Sequence, residues 1–194
     1  MPQSIIRCGW TENVGPEELL YHDKEWGVPC FDDRIQFEFL VLESAQAGLS
    51  WRTILLKRPG YAACFANFNP LEVAKFNTED VNRLLTDARI IRNRKKIEAA
   101  INNAHCFLEL QAKHGSFCNF FWDFVDGQPI VNKWQEPREI PATTPLSDKI
   151  AKEFKRLGFK FLGSTTLYAH MQATGMVNDH LISCFRHKAC CISK

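Results

Sequence analysis

Residues 33–50 read DRIQFEFLVLESAQAGLS, with apolar side chains on more than one face of any helix they form. A surface helix keeps its apolar residues to one stripe, whereas one that is apolar nearly all round belongs inside a core. Asp32 or Asp33 suits the start of such a helix and Gly48 its end, so a buried central helix is predicted here. Phe37, Leu40 and Val41 fall on its buried faces, and so does Glu43. A carboxylate in that position is costly unless it meets a cation or hydrogen-bond donors. An internal arginine or backbone N–H groups would answer that need as well as a cationic ligand would, and Glu43 alone does not choose between them.

Helical spacing recurs on the C-terminal side of this segment. A second helix is predicted from Trp51 to Lys57, broken by Arg58-Pro59-Gly60. Asn69-Pro70 fits an N-cap followed by proline, leading a short helix from Leu71 to Lys75. Thr78-Glu79-Asp80 caps the next, with Val81, Leu84 and Leu85 on one side. A long helix runs from Asn93 to about Lys113, where Ile97, Ile101, Ala104 and Leu108 share a face. Phe117 to Val125 makes a shorter aromatic helix, Thr144-Pro145 starts one that stops at Gly158, and another covers Ser164 to Thr174. The first 30 residues and the proline-containing stretch Gly127–Pro141 read as irregular. Isolated strands at Phe159–Leu162 aside, no series of β-branched runs supports a sheet. The fold class is all-α, one domain over residues 1–194.

No stretch approaches the ~20 consecutive apolar residues of a membrane helix. The opening MPQSIIRCGWTENVG also lacks the apolar run of a secretory signal, so a cytoplasmic protein is expected. In that reducing compartment the eight cysteines, at 8, 30, 64, 106, 118, 184, 190 and 191, read as core residues or metal ligands rather than a disulfide framework. The balance of 24 basic and 22 acidic residues gives a net charge of +2, too slight to identify a nucleic-acid binder. Distribution says more: Arg89, Arg92, Arg94, Lys95 and Lys96 lie between Ala88 and Lys96 with no acidic residue among them.

That cluster sits at the start of the long helix, just after a tight connection at Asp87–Ile91. Free N–H groups at a helix start and nearby cations suit a DNA phosphate, although a basic αα-corner has the same composition. Cys8, His22, His180 and Cys184 are able to provide the two sulfurs and two imidazoles of a closed tetrahedral zinc site joining 8–22 to 180–184, although their spacing is not that of a zinc finger and Cys/His pairs are often coincidental. His180 and Cys184 are four apart, which one helical turn would bring to the same side; Cys190 and Cys191 compete as ligands. Tyr21 and Trp51 are able to enclose a flat, electron-poor ring, though core burial is the ordinary fate of such residues. Leu49, beside Gly48 in an interhelical loop, has the character of a side chain that fills a gap in a base stack.

Taken together these strings resemble the 3-methyladenine DNA glycosylase I family, a branch of the helix-hairpin-helix glycosylases. The matching segments are RCGW at 7–10, YHDKEWGVP at 21–29, LESAQAGLSW at 42–51, ARIIRNRKKI at 88–97, GFKFLGSTT at 158–166 and GMVNDHLISC at 175–184. The resemblance implies one structural zinc ion held by Cys8, His22, His180 and Cys184. It assigns Glu43 and Tyr21 to recognition and catalysis at a methylated adenine, Trp51 to stacking on it, and Gly48-Leu49 to insertion into DNA at the flipped nucleotide. A helix-hairpin-helix element at about 79–112, with Arg89, Arg92, Arg94, Lys95 and Lys96, would grip the backbone. Two positions depart from the pattern: Glu18 stands where a second tyrosine is frequent, and Arg89 where the hairpin has a glycine.

The implied activity is that of a monomeric, monofunctional DNA-3-methyladenine glycosylase, acting on double-stranded DNA without a membrane partner and releasing free 3-methyladenine. Such a protein would associate with the nucleoid when acting. No lysine is evident as a Schiff-base nucleophile, so strand cleavage is not expected. Two other classes compete: a damage sensor that binds without excising, mildly favoured by Glu18, and a zinc-stabilised scaffold for protein partners.

Overall fold

The computed structural model describes residues 5–191; the two ends of the expected domain, 1–4 and 192–194, lie outside the described residues. Its centre is α2, Asp33–Gln46, in which every residue from Gln36 to Ala45 is buried. Asp32 is the N-cap, accepting from the N–H groups of Arg34 and Ile35. Asp33 instead turns to a later helix and accepts from the Phe117 and Cys118 N–H groups, each at 2.8 Å. Such a helix leaves no solvated face, which is why its sequence is apolar on several sides.

The elements packed on α2 are α3 (Trp51–Cys64), α6 (Arg94–His114), α7 (Phe117–Trp122) and α9 (Ser164–Ala173). Between them run α4 (Pro70–Val73), α5 (Thr78–Thr86) and α8 (Pro145–Arg156), and α10 (Phe185–Ala189) closes the described chain. Expected helices therefore form with small changes at their ends; Asn77, one residue before the predicted cap, caps α5.

Four differences from the sequence expectation have physical causes. First, α3 continues through Pro59 to Cys64. Proline costs a helix one N–H donor, but this turn is held from outside. Lys57 Nζ donates to the Ala88 carbonyl at 2.7 Å, and Tyr61 Oη accepts from Ile91 N–H. Gly60 lets the Arg89 backbone approach, since a Cβ there would lie 2.5 Å from the Arg89 carbonyl oxygen.

Second, Pro16–Lys24 is a helix, α1, not irregular chain. Proline in the first turn and the Glu18 carboxylate accepting from Gly15 N–H start it. Third, the Gly127–Pro141 segment is anchored by a two-residue parallel pair, β1 (Ile130–Val131) on β2 (Val177–Asn178). Fourth, no strand forms at 159–162; Asn103 holds that backbone instead, donating to the Lys160 carbonyl and accepting from its N–H.

Among the described residues, no helix is long and apolar enough to cross a membrane.

Candidate active site and metal centre

A second, smaller apolar cluster beside the main core carries the site: Cys8, Tyr21, Trp26, Phe39, Leu55, Ala173, Leu181 and Cys184. Above it opens a cavity of about 420 Å³ whose walls include Trp10, Tyr21, Trp26, Glu43, Gln46 and Trp51. α1 supplies Tyr21, α2 supplies Glu43 and Gln46 one helical turn apart, and α3 supplies Trp51. Tyr21 lies 5.3 Å from Trp51 between ring centroids, and Phe39 stacks behind Trp51 at 6.5 Å. The cavity is a slot of aromatic surface with one acid in it.

Glu43 is only 5% exposed. Among the described residues its carboxylate has no hydrogen-bond or ion-pair partner, and burial alone pushes its pKa from 4.5 up to about 8. An internal arginine able to neutralise it is engaged elsewhere: Arg58 donates to Glu38 and Glu25, each at 2.7 Å. The structural explanation for a buried Glu43 is thus absent, and the acid faces the cavity unpaired. The Tyr21 hydroxyl is also held far above its ordinary pKa, first by burial and then by the charges of Glu43 and Glu25. It therefore enters the cavity as a neutral donor. Trp51 Nε1 is buried without a partner.

A smaller groove of about 240 Å³ runs on from Glu43 past Gln46, Ala47, Gly48 and Leu49 to Thr165 and Thr166 at the start of α9. Gly48 has φ +80°, a backbone conformation that strains other residues. It turns the chain so that Leu49 stands 40% exposed at the loop tip. Glu43 and Leu49 thereby flank one continuous opening.

The metal centre forms the back of the cavity. Cys8, His22, His180 and Cys184 are all buried, and their ligand atoms lie within 4.8 Å of one another. Sulfur-to-nitrogen separations are 3.5 Å for Cys8–His180, 3.5 Å for Cys184–His22 and 3.6 Å for Cys184–His180. Tetrahedral zinc with Zn–S near 2.3 Å and Zn–N near 2.05 Å requires S···N edges of about 3.5 Å, so the set fits.

The outer ring nitrogens are already occupied. His22 Nδ1 meets Asp23 Oδ1 at 2.8 Å, and His180 Nε2 meets the Trp26 carbonyl at 2.9 Å, which leaves His22 Nε2 and His180 Nδ1 for the metal. Arg7 clamps Asp23 in turn and draws its carboxyl below the usual range. Four protein ligands leave no position for water, so zinc there is structural. It ties 8–22 to 180–184 and braces two walls of the cavity, since Trp26 packs on His180 at 4.5 Å and Trp10 on His22 at 5.2 Å.

One detail differs from expectation. His180 and Cys184 are not on a helix; residues 181–184 make a turn closed by Cys184 N–H to the Leu181 carbonyl, and Cys184 caps α10. Cys190 stays outside the set, its sulfur beside Arg186.

The basic cluster divides by use. Arg92 and Lys95 are exposed at the start of α6. Arg89 is locked in a double hydrogen bond with Asp87, and Arg94 reaches Asn82 and Glu98. Lys96 turns inward and donates to the carbonyls of Ala45 and Ala47. No residue from 87 to 93 has positive φ, so Arg89 fits the connection without backbone strain.

Sequence reasoning gave no role to Pro137, Ile140, Ala169 and Gln172, which also line the cavity. Gln172 is held by the buried carboxylate of Asp179, which also accepts from Asn132, Trp134 and Tyr168. Gln46 was also given no role, although its place three residues after Glu43 on one helix is a signal that would have found it. Glu18 does not line the cavity; its carboxylate caps α1 and lies 3.9 Å from Arg52.

Comparison with known proteins agrees with this arrangement. A family model described as methyladenine glycosylase matches residues 10–187. DNA-3-methyladenine glycosylase 1 of Escherichia coli K12 is 48% identical over 178 residues, 92% of this chain and 95% of its own. The DNA-3-methyladenine glycosylase of Haemophilus influenzae Rd is 42% identical over 180 residues, 92% and 96% respectively. A crystal structure of 3-methyladenine DNA glycosylase I superimposes with a TM-score of 0.89 at 49% identity, covering 93% of this chain and 98% of that one.

Proposed function

This chain belongs to the methyladenine glycosylase family, and from that premise we propose that it hydrolyses the N-glycosidic bond of 3-methyladenine in double-stranded DNA. The observation that carries the reading is Glu43, a buried carboxylate without a partner in an aromatic slot. An adenine methylated at N3 is cationic while attached to the sugar. Its entry supplies the opposite charge that Glu43 lacks, and the Glu43 proton is then released because a nearby cation favours the carboxylate. Neutral adenine offers no such exchange.

In the bond-breaking step the C1′–N9 electron pair passes to the base, which leaves neutral, while the sugar becomes oxocarbenium-like. Water adds its oxygen to C1′ and gives a proton to solvent, leaving an abasic site. Glu43 selects and holds the cation, Tyr21 donates a hydrogen bond, and Trp51 stacks on the ring. Zinc supplies rigidity behind the slot and no step of this chemistry. Among the described residues no lysine lines the cavity, in keeping with hydrolysis without strand cleavage.

For DNA, α5, the connection at 87–93 and α6 act as the helix-hairpin-helix element of about 79–112, with Arg92 and Lys95 free for phosphates. Leu49 fills the space left by the extruded nucleotide. The enzyme is read as a monomer that works in the cytoplasm on nucleoid DNA.

The test is chromatography of bases released from methylated duplex DNA by the native chain and by Glu43→Gln. Release of 3-methyladenine that falls at least tenfold in the variant is expected. DNA binding without any base release by the zinc-loaded native chain would instead establish a damage sensor.

A further inference from the structure

The hairpin and the Leu49 loop are tied to each other by two lysines that point in opposite directions. Lys96, in the first turn of α6, sends its ammonium to the carbonyls of Ala45 and Ala47, both at 2.7 Å. These carbonyls belong to the last turn of α2, where a helix has no internal donors left and its dipole favours a cation. Lys57, on α3, reaches back to the hairpin carbonyl of Ala88 at 2.7 Å. The loop between α2 and α3, which carries Gly48 and Leu49, is therefore flanked by two ties, one from the end of α2 to the first turn of α6 and one from α3 to the connection that precedes it. Leu49 N–H closes the loop on the Gln46 carbonyl at 2.6 Å, one residue from the Lys96 anchor.

We propose that Lys96 is a positioning residue that holds Leu49 in register with the DNA-gripping hairpin, and is not itself a phosphate contact. Its geometry separates it from its neighbours. Arg92 and Lys95 are exposed, whereas Lys96 is half-buried with two carbonyls on its ammonium. The backbone N–H of the same residue donates to the α6 cap Asn93, so one residue joins the hairpin helix start to the end of α2. A backbone phosphate bound at the hairpin then fixes where Leu49 meets the base stack. This inference rests on the proposed roles of Leu49 and the hairpin.

Lys96→Met keeps the aliphatic stem and removes the ammonium. Three measurements test it, with Arg92→Met and Leu49→Ala as references. First, excision from methylated duplex should fall about tenfold, the scale of one lost charge-assisted hydrogen bond. Excision from methylated single strands, which have no stack to fill, should change far less. Second, Lys96→Met in a Leu49→Ala background should cost little more than Leu49→Ala alone, because both act through one element. Third, the salt dependence of duplex binding should be unchanged in Lys96→Met. In Arg92→Met it should flatten by about 0.9 in log–log slope, the signature of a lost phosphate contact.

A flattened slope in Lys96→Met, or losses that are equal on both strand forms and additive with Leu49→Ala, would overturn the proposal. Unchanged calorimetric affinity for free 3-methyladenine shows that the variant is folded. If the native chain released no base, the proposed activity would fail, and the salt slope would still decide whether Lys96 touches phosphate.

Discussion

Replacing Glu43 by glutamine removes one ionisable group from a place where ionisation is expensive, and the cost can be read as stability against pH. Burial raises the folded-state pKa from 4.5 to about 8. A carboxyl shifted upward binds its proton more tightly in the folded chain than in the unfolded one. Its contribution is fully present below pH 4.5 and is lost as the pH climbs through about 8. At about 1.4 kcal/mol per pH unit the ceiling is roughly 5 kcal/mol. Glu43 faces a cavity that water can enter, so about half of that, roughly 2–3 kcal/mol, is the working figure.

Glutamine has the same shape and no charge to lose. For a domain of this size, 1 kcal/mol moves the melting temperature by about 2–4 °C. Glu43→Gln should therefore melt about 5–10 °C above the native chain at pH 9, with the gap closing towards pH 5. Scanning calorimetry of both zinc-loaded proteins at half-unit pH steps is the assay. Each point is a difference between two chains, so the titration of the cysteines and histidines common to both cancels. Melting curves that stay parallel from pH 5 to pH 9 would refute the account of Glu43 as an unpaired buried acid, and with it the reason a cation is selected.

Other outcomes follow from the same geometry. Zinc analysis should give one ion per chain, and stripping it with a chelator, or replacing Cys184 by alanine, should lower the melting temperature by more than about 10 °C and abolish excision, because the ion ties both ends of the domain and braces Trp10 and Trp26. Leu49→Ala should reduce excision from duplex about tenfold or more while leaving calorimetric binding of free 3-methyladenine within about twofold. Asp179→Asn sets an amide among four donors and should cost about 3 kcal/mol in urea unfolding, with weakened base binding through the loosened Gln172; a loss under about 1 kcal/mol would contradict the network. Glu18→Tyr should leave base affinity little changed but lose the cap of α1, since Glu18 serves that helix start rather than the cavity.

The sequence determined the elements that rest on local chemistry. The apolar run at 33–46 has no solvated face, so it had to be a central helix, and Asp32, Asn69, Asn93 and Thr144 mark helix starts because their side chains accept the free N–H groups there. The residues of the metal set were legible through the family resemblance, whose strings contain all four; spacing alone left Cys190 and Cys191 as competitors.

Tertiary structure decided what depends on contacts distant in sequence. Pro59 looked like a helix end, and α3 passes through it because Lys57 and Tyr61 on either side tie that turn to the Ala88 carbonyl and the Ile91 N–H of the hairpin connection. Glu43 read equally well as a paired core acid until Arg58 was found bonded to Glu25 and Glu38. Lys96 stood in a basic run indistinguishable from Arg92 and Lys95, and only the end of α2 packed against it showed which cation turns inward. Local preference fixes where a helix begins, but whether a charge is paired, free or structural depends on which distant groups the fold brings within about 3 Å of it.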